Sequence, residues 1–240
     1  MPKKEVSYYK SQTGWNHNLI TSVSLHLDLD NVPSIEVVPD EETIQFFIDR
    51  FDNENSLSEQ ALNVLFSGMP NNFTNEEYIY LKVSALNDVY STHLSSSDKV
   101  TVVNVIRQFE NRISVNNYDE SLVYDICREC NERESNFPYS FVTKYCSHCH
   151  EEIYPIYDRY VALMMKWYRD KRLDERFDFN DSLVSSNCVH YDQFRTKLWS
   201  FIQCFNLEQF TYKDIDKFLW KAGKTYFPTY VDEDWLPNNS

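Results

Sequence analysis

An all-α fold is predicted by three features of the 240-residue sequence. Only three glycines are present, Gly14, Gly68 and Gly223, too few for the tight turns of a hairpin-rich sheet protein or for a glycine-rich phosphate loop. Apolar residues make up 42% of the chain and aromatics 16%, ample for a buried core at this length. From Asp40 onward the apolar positions recur at the helical period of 3.6 residues, not the alternation of a strand.

Residues 1–40 are the exception. SLHLDLDNVPSIEVVPD alternates apolar and polar residues and is punctuated by Pro33 and Pro39, which suits an N-terminal extended arm or short strands. Helices follow over a domain spanning 41–227. DEETIQFFIDRF opens with an acidic first turn, and SLSEQALNVLFSG starts at a Ser56/Glu59 capping pair and ends at Gly68. Thr74 with Glu77 caps the next helix, whose Ile79, Val83, Leu86 and Val89/Tyr90 fall on one stripe. Ser97 opens DKVTVVNVIRQFENRI and Asp119 opens ESLVYDICRECNE. A helix follows Pro155, then a charged connector, a helix around YDQFRTKLWSFIQCF, and a last helix from Thr211 to Lys221 stopped by Gly223. Residues 228–240 form an acidic tail.

The stretch FVTKYCSHCHEEIYPIYDRYV (141–161) concentrates the chemistry. Cys127 and Cys130 followed by Cys146 and Cys149 give C-x2-C-x15-C-x2-C, a spacing that suits a structural zinc bound by four thiolates. No glycine or proline turn adjoins either pair. Leu122, Val123, Ile126, Cys127 and Cys130 also continue one helical stripe, so packing thiols are the alternative.

Thr143-Lys144-Tyr145-Cys146 followed by Pro155-Ile156-Tyr157-Asp158-Arg159-Tyr160-Val161 resembles the helix-hairpin-helix DNA glycosylases, in particular a divergent bacterial branch similar to the oxidised-guanine enzymes. The resemblance covers about residues 74–224. It implies a glycosylase-like multi-helix domain with a cleft between 74–113 and 137–224, a lysine that opens a helix after a hairpin turn, and an aspartate facing it. Lys144 would then be the amine that attacks the sugar and forms a Schiff base, and Asp158 the carboxylate beside it. Tyr145, Tyr157 and Tyr160 would stack on an everted base, with Arg159, Lys166, Arg169 and Arg172 on the DNA backbone. The family's glycine-rich hairpin is absent: NFPYSFVTK carries Pro138 and no glycine. No redox or organic cofactor is implied.

The formal net charge of −14 sets the competing expectation. Residues 1–120 hold 8 Lys+Arg against 18 Asp+Glu, whereas 121–227 hold 15 against 16. A non-catalytic module that docks a basic protein through its acidic N-terminal half, or mimics nucleic acid, fits the first count. A DNA-binding face in the C-terminal half fits the second. No run of about 18 apolar residues and no export signal is found, so a cytoplasmic protein without membrane contact is expected.

Overall fold

The computed structural model describes residues 39–68, 76–133, 138–171, 174–178 and 191–227. Among these lie nine α-helices and no strand: α1 (Glu41–Gly68), α2 (Glu76–Val89), α3 (Ser96–Gln108), α4 (Glu110–Ile113), α5 (Leu122–Glu132), α6 (Tyr139–Cys149), α7 (Arg159–Lys171), α8 (Tyr191–Cys204) and α9 (Tyr212–Tyr226). The all-α expectation holds. The arm at 1–38, the tail at 228–240, Thr74 and Arg172 lie outside the described residues.

α1 corrects the sequence reading. One 28-residue helix replaces the two that were expected to meet at Ser56 and Glu59. Asp40 starts it, accepting the Thr43 amide at 2.8 Å. Ile44, Phe47, Ile48 and Phe51 continue into Leu62 and Phe66 as one buried stripe, and Asn55 and Ser58 turn their side chains back onto carbonyls of the same helix. Glu59, freed from capping, pairs with Lys213 of α9 at 3.0 Å.

Two other starts are displaced. Ser95, not Ser97, caps α3: its hydroxyl accepts the Asp98 amide while Asp98 accepts the Ser95 amide, a reciprocal box. Asp119 does not open α5. It is held instead by Arg112, which also reaches Asp125 at 2.8 Å and so ties the connection before α5 to that helix. Thr211 caps α9 as expected, through the box with Asp214.

Gly223 does not stop α9, which continues to Tyr226. Its role is close approach: a Cβ there would lie 2.9 Å from the Tyr160 Cβ and 3.2 Å from the Tyr160 carbonyl oxygen. α7 and α9 therefore touch at this point with no side chain between them.

α6 runs through the middle, packed against α1, α2 and α5. Phe141, Val142, Tyr145 and Cys146 are buried along it, each large apolar side chain stabilising by about 1.5–3 kcal/mol. That enclosure carries Lys144 inward as well. Its ammonium needs a partner inside the fold.

Candidate active site

Two hydroxyls of α6 fasten the turn that carries Asp158. Thr143 Oγ1 accepts the Tyr157 amide at 3.1 Å, and Ser140 Oγ donates to the Tyr157 carbonyl at 3.3 Å. Tyr191 Oη donates to the Pro155 carbonyl at 2.8 Å from the other side. Asp158 is thereby presented to Lys144, whose Nζ donates to Asp158 Oδ2 at 3.2 Å and to Ser140 Oγ at 2.6 Å. Asp158 Oδ1 accepts the Tyr160 amide at 2.9 Å in the first turn of α7. α6 begins at Tyr139, so Lys144 lies within the helix and not at its start, a departure from the pattern implied by the glycosylase resemblance.

A cavity of about 590 Å³ opens onto this pair. The expected cleft lay between 74–113 and 137–224; α1 also forms a wall, through Phe51, Asn55 and Glu59. α9, packed beside α1, forms an adjoining wall with Asp216, Trp220 and Lys224. Ser91 and His93 line the lip at φ 48° and 59°, left-handed conformations that cost non-glycine residues about 1–2 kcal/mol each. Asn87 Oδ1 holds that lip, accepting from Thr92 Oγ1 at 2.9 Å and the Leu94 amide at 2.7 Å.

Behind the pair lies a second polar cluster. The Tyr90 ring sits 5.3 Å from Lys144 Nζ. Tyr90 Oη meets His148 Nε2 at 2.9 Å, donates to Glu59 at 3.3 Å and accepts from Lys213 at 3.4 Å. Burial, with the Glu59 charge, pushes the Tyr90 hydroxyl well above its usual range. Burial, with the Lys213 and Lys144 charges, pulls His148 down to about 3, so the imidazole is neutral at physiological pH.

Asp216 is the most unusual group in the wall. It is 7% exposed, and its Oδ1 has no hydrogen-bond partner among the described residues. Burial pushes its carboxyl up to about 7, against the opposing pull of Lys213. A carboxyl group in that state both accepts and donates hydrogen bonds.

The other sequence candidates divide. Tyr157, Arg159 and Tyr160 line the cavity with Lys144 and Asp158. Tyr157 packs on Tyr139 with ring centroids 4.5 Å apart. Tyr145 is placed otherwise: it is 1% exposed, its ring faces Phe66 at 5.5 Å, and core packing withdraws it from any base. Lys166 and Arg169 lie on α7 away from the cavity, and Arg169 pairs with Asp170 at 2.6 Å.

The four cysteines do not form a metal site in this structure. Among the described residues no three His, Cys, Asp or Glu side chains converge to hold an ion. Cys127, Cys130 and Cys146 are buried in α5 and α6, and Cys149 is partly buried. Burial raises the thiols of Cys130 and Cys149 to about 12.

Sequence reasoning missed Glu59, Tyr90, Ser140, Asp216, Trp220 and Lys224. Ser140, four residues before Lys144 on one helix face, was the recoverable one. The others enter from distant helices.

Residues 43–153 match the family model HI_0787_N, an N-terminal domain. A Haemophilus influenzae protein named "Uncharacterized protein" is 30% identical over 143 residues, 59% of this chain and 64% of that protein. The chain thus spans less than two thirds of this relative's length. The family match includes Lys144 and ends before Asp158. No solved structure matches the chain.

Proposed function

We propose that the protein is a DNA base-excision glycosylase with Schiff-base lyase chemistry, acting on a damaged or modified base everted into the cavity. The observation that carries this reading is the Lys144–Asp158 pair, with the amine 3% and the carboxylate 18% exposed, at the wall of a cavity rich in aromatic side chains. Its volume, about 590 Å³, lies within the range of about 300–1,000 Å³ typical of small-ligand sites. Tyr157 and Trp220 line the cavity, and contact with their rings would offset part of the few kcal/mol of unstacking a base.

The chemistry follows from the contacts. Lys144 passes a proton to Asp158, and the free amine attacks C1′ of the everted nucleotide. The C1′–N bond breaks, its electron pair leaves with the base, and the base takes up a proton. The sugar opens to a Schiff base on Nζ; loss of a C2′ proton then expels the 3′-phosphate. Ser140, 2.6 Å from Nζ, orients the amine.

Borohydride trapping on duplexes carrying an abasic or an oxidised-guanine site tests the reading. A covalent adduct that disappears in Lys144→Ala is expected. No adduct across a panel of damaged duplexes would overturn it, leaving the acidic interaction module, which the net charge of −14 supports.

A further inference from the structure

The cations of α9 follow a pattern with one exception. Lys213 pairs with Glu59 at 3.0 Å, Lys217 with Asp52 at 2.8 Å, and Lys221 with Glu54, all on α1. Lys224, one helical turn further, makes no ion pair among the described residues. Its Nζ lies 3.9 Å from the centroid of the Trp220 ring, on the cavity wall. Arg159 repeats the exception. Arg112, Arg133, Arg169 and Arg176 are each bound to a carboxylate, whereas Arg159, lining the same cavity, makes no ion pair among the described residues; Arg195, outside the cavity, makes none there either and lies 4.0 Å from the Tyr118 ring.

In a chain of net charge −14, acids outnumber bases and unpaired cations have ready partners. Two that stay unpaired at one opening form a cationic rim. Behind them the same cavity is lined by the Lys144–Asp158 ion pair and by Asp216. A positive rim at the mouth of such a cavity matches a nucleotide unit, whose ester carries negative charge.

We infer that Lys224 and Arg159 bind a phosphodiester of the nucleotide that enters the cavity, supplying the backbone anchor that a glycine-rich hairpin would otherwise provide. This rests on the base-excision reading for the identity of the ligand, but not for the charge of the rim. Lys224 acts as a point charge steadied by Trp220, and Arg159 offers a planar fork of donors to two phosphate oxygens. The contact is independent of base identity.

The full-length protein and a duplex carrying tetrahydrofuran, a stable abasic-site analogue, separate binding from chemistry. Affinity is measured from 50 to 200 mM KCl for wild type, Lys224→Gln, Arg159→Gln and the remote control Lys99→Gln. Each rim variant is expected to lower the slope of log Kd against log salt by about one, and the control to leave it unchanged. Wild-type slopes in both rim variants, with borohydride adducts intact, overturn the rim assignment and leave the excision reading standing. Reduced slopes with no adduct on any damaged duplex keep the rim and overturn excision. No complex at 50 mM KCl overturns both.

Discussion

Asp158 serves two partners: one carboxylate oxygen accepts the Lys144 ammonium at 3.2 Å and the other accepts the Tyr160 amide at 2.9 Å. The pairing of Lys144 and the start of α7 therefore depend on the same side chain. Asp158→Ala is expected to lose about 3–5 kcal/mol, because it leaves a buried ammonium without a counter-charge. Asp158→Asn keeps an acceptor for the amide and loses less, about 1–3 kcal/mol, while abolishing adduct formation. Urea unfolding checks both; a loss under 1 kcal/mol in the alanine variant contradicts a buried pair.

Gly223→Ala tests the contact between α7 and α9. An exposed helical glycine replaced by alanine gains up to about 1 kcal/mol, but here the new methyl meets Tyr160 backbone and Cβ atoms. A net loss of about 1–3 kcal/mol is expected, with weaker trapping of substrate because Tyr160 adjoins the Asp158 turn. A more stable variant would show that the helices separate at little cost.

Asp216 makes stability depend on pH in a definite direction. Its folded value, about 7, stands above the ordinary 3.8, so between roughly pH 4 and 7 the unfolded chain loses a proton that the folded chain keeps. Stability from this group is full below about pH 4 and falls as pH rises to 7, by on the order of 4 kcal/mol at most. Unfolding at pH 5 and pH 8 is expected to show a smaller decline in Asp216→Asn than in wild type. Parallel declines count against a raised carboxyl.

His148 acts with the opposite sign. Its folded value, about 3, lies below the ordinary 6.5, so below about pH 6.5 the unfolded chain takes up a proton that the folded chain refuses, and stability falls with acid. His148→Gln is expected to flatten the acid limb between pH 6 and 4 in thermal melts. It keeps a side-chain partner for Tyr90, so the neutral-pH melting point should move little. An unchanged acid limb would place the loss elsewhere.

The helical class and the Thr211 cap were legible because each depends on residues close in sequence; the pairing of Lys144 with Asp158 was implied only by the glycosylase resemblance. The single course of α1 was not, because Ser56 and Glu59 satisfy a capping pattern locally and only α9 reveals that Glu59 has another partner. Gly223 reads as a stop until Tyr160 is placed against it. Spacing suggested zinc at the cysteines; among the described residues no three ligand side chains converge there. Tyr90 and Asp216 join the site by tertiary packing alone, and nothing in their neighbours announces it.

The meeting of α7 and α9 at Gly223 fixes one jaw of the cavity by main chain. Side chains can swap rotamers to admit a larger guest; two backbones in contact cannot. Room for guests of different size is then left to the other lining elements, among them the Ser91–His93 corner, where left-handed residues hold the chain in a bent course.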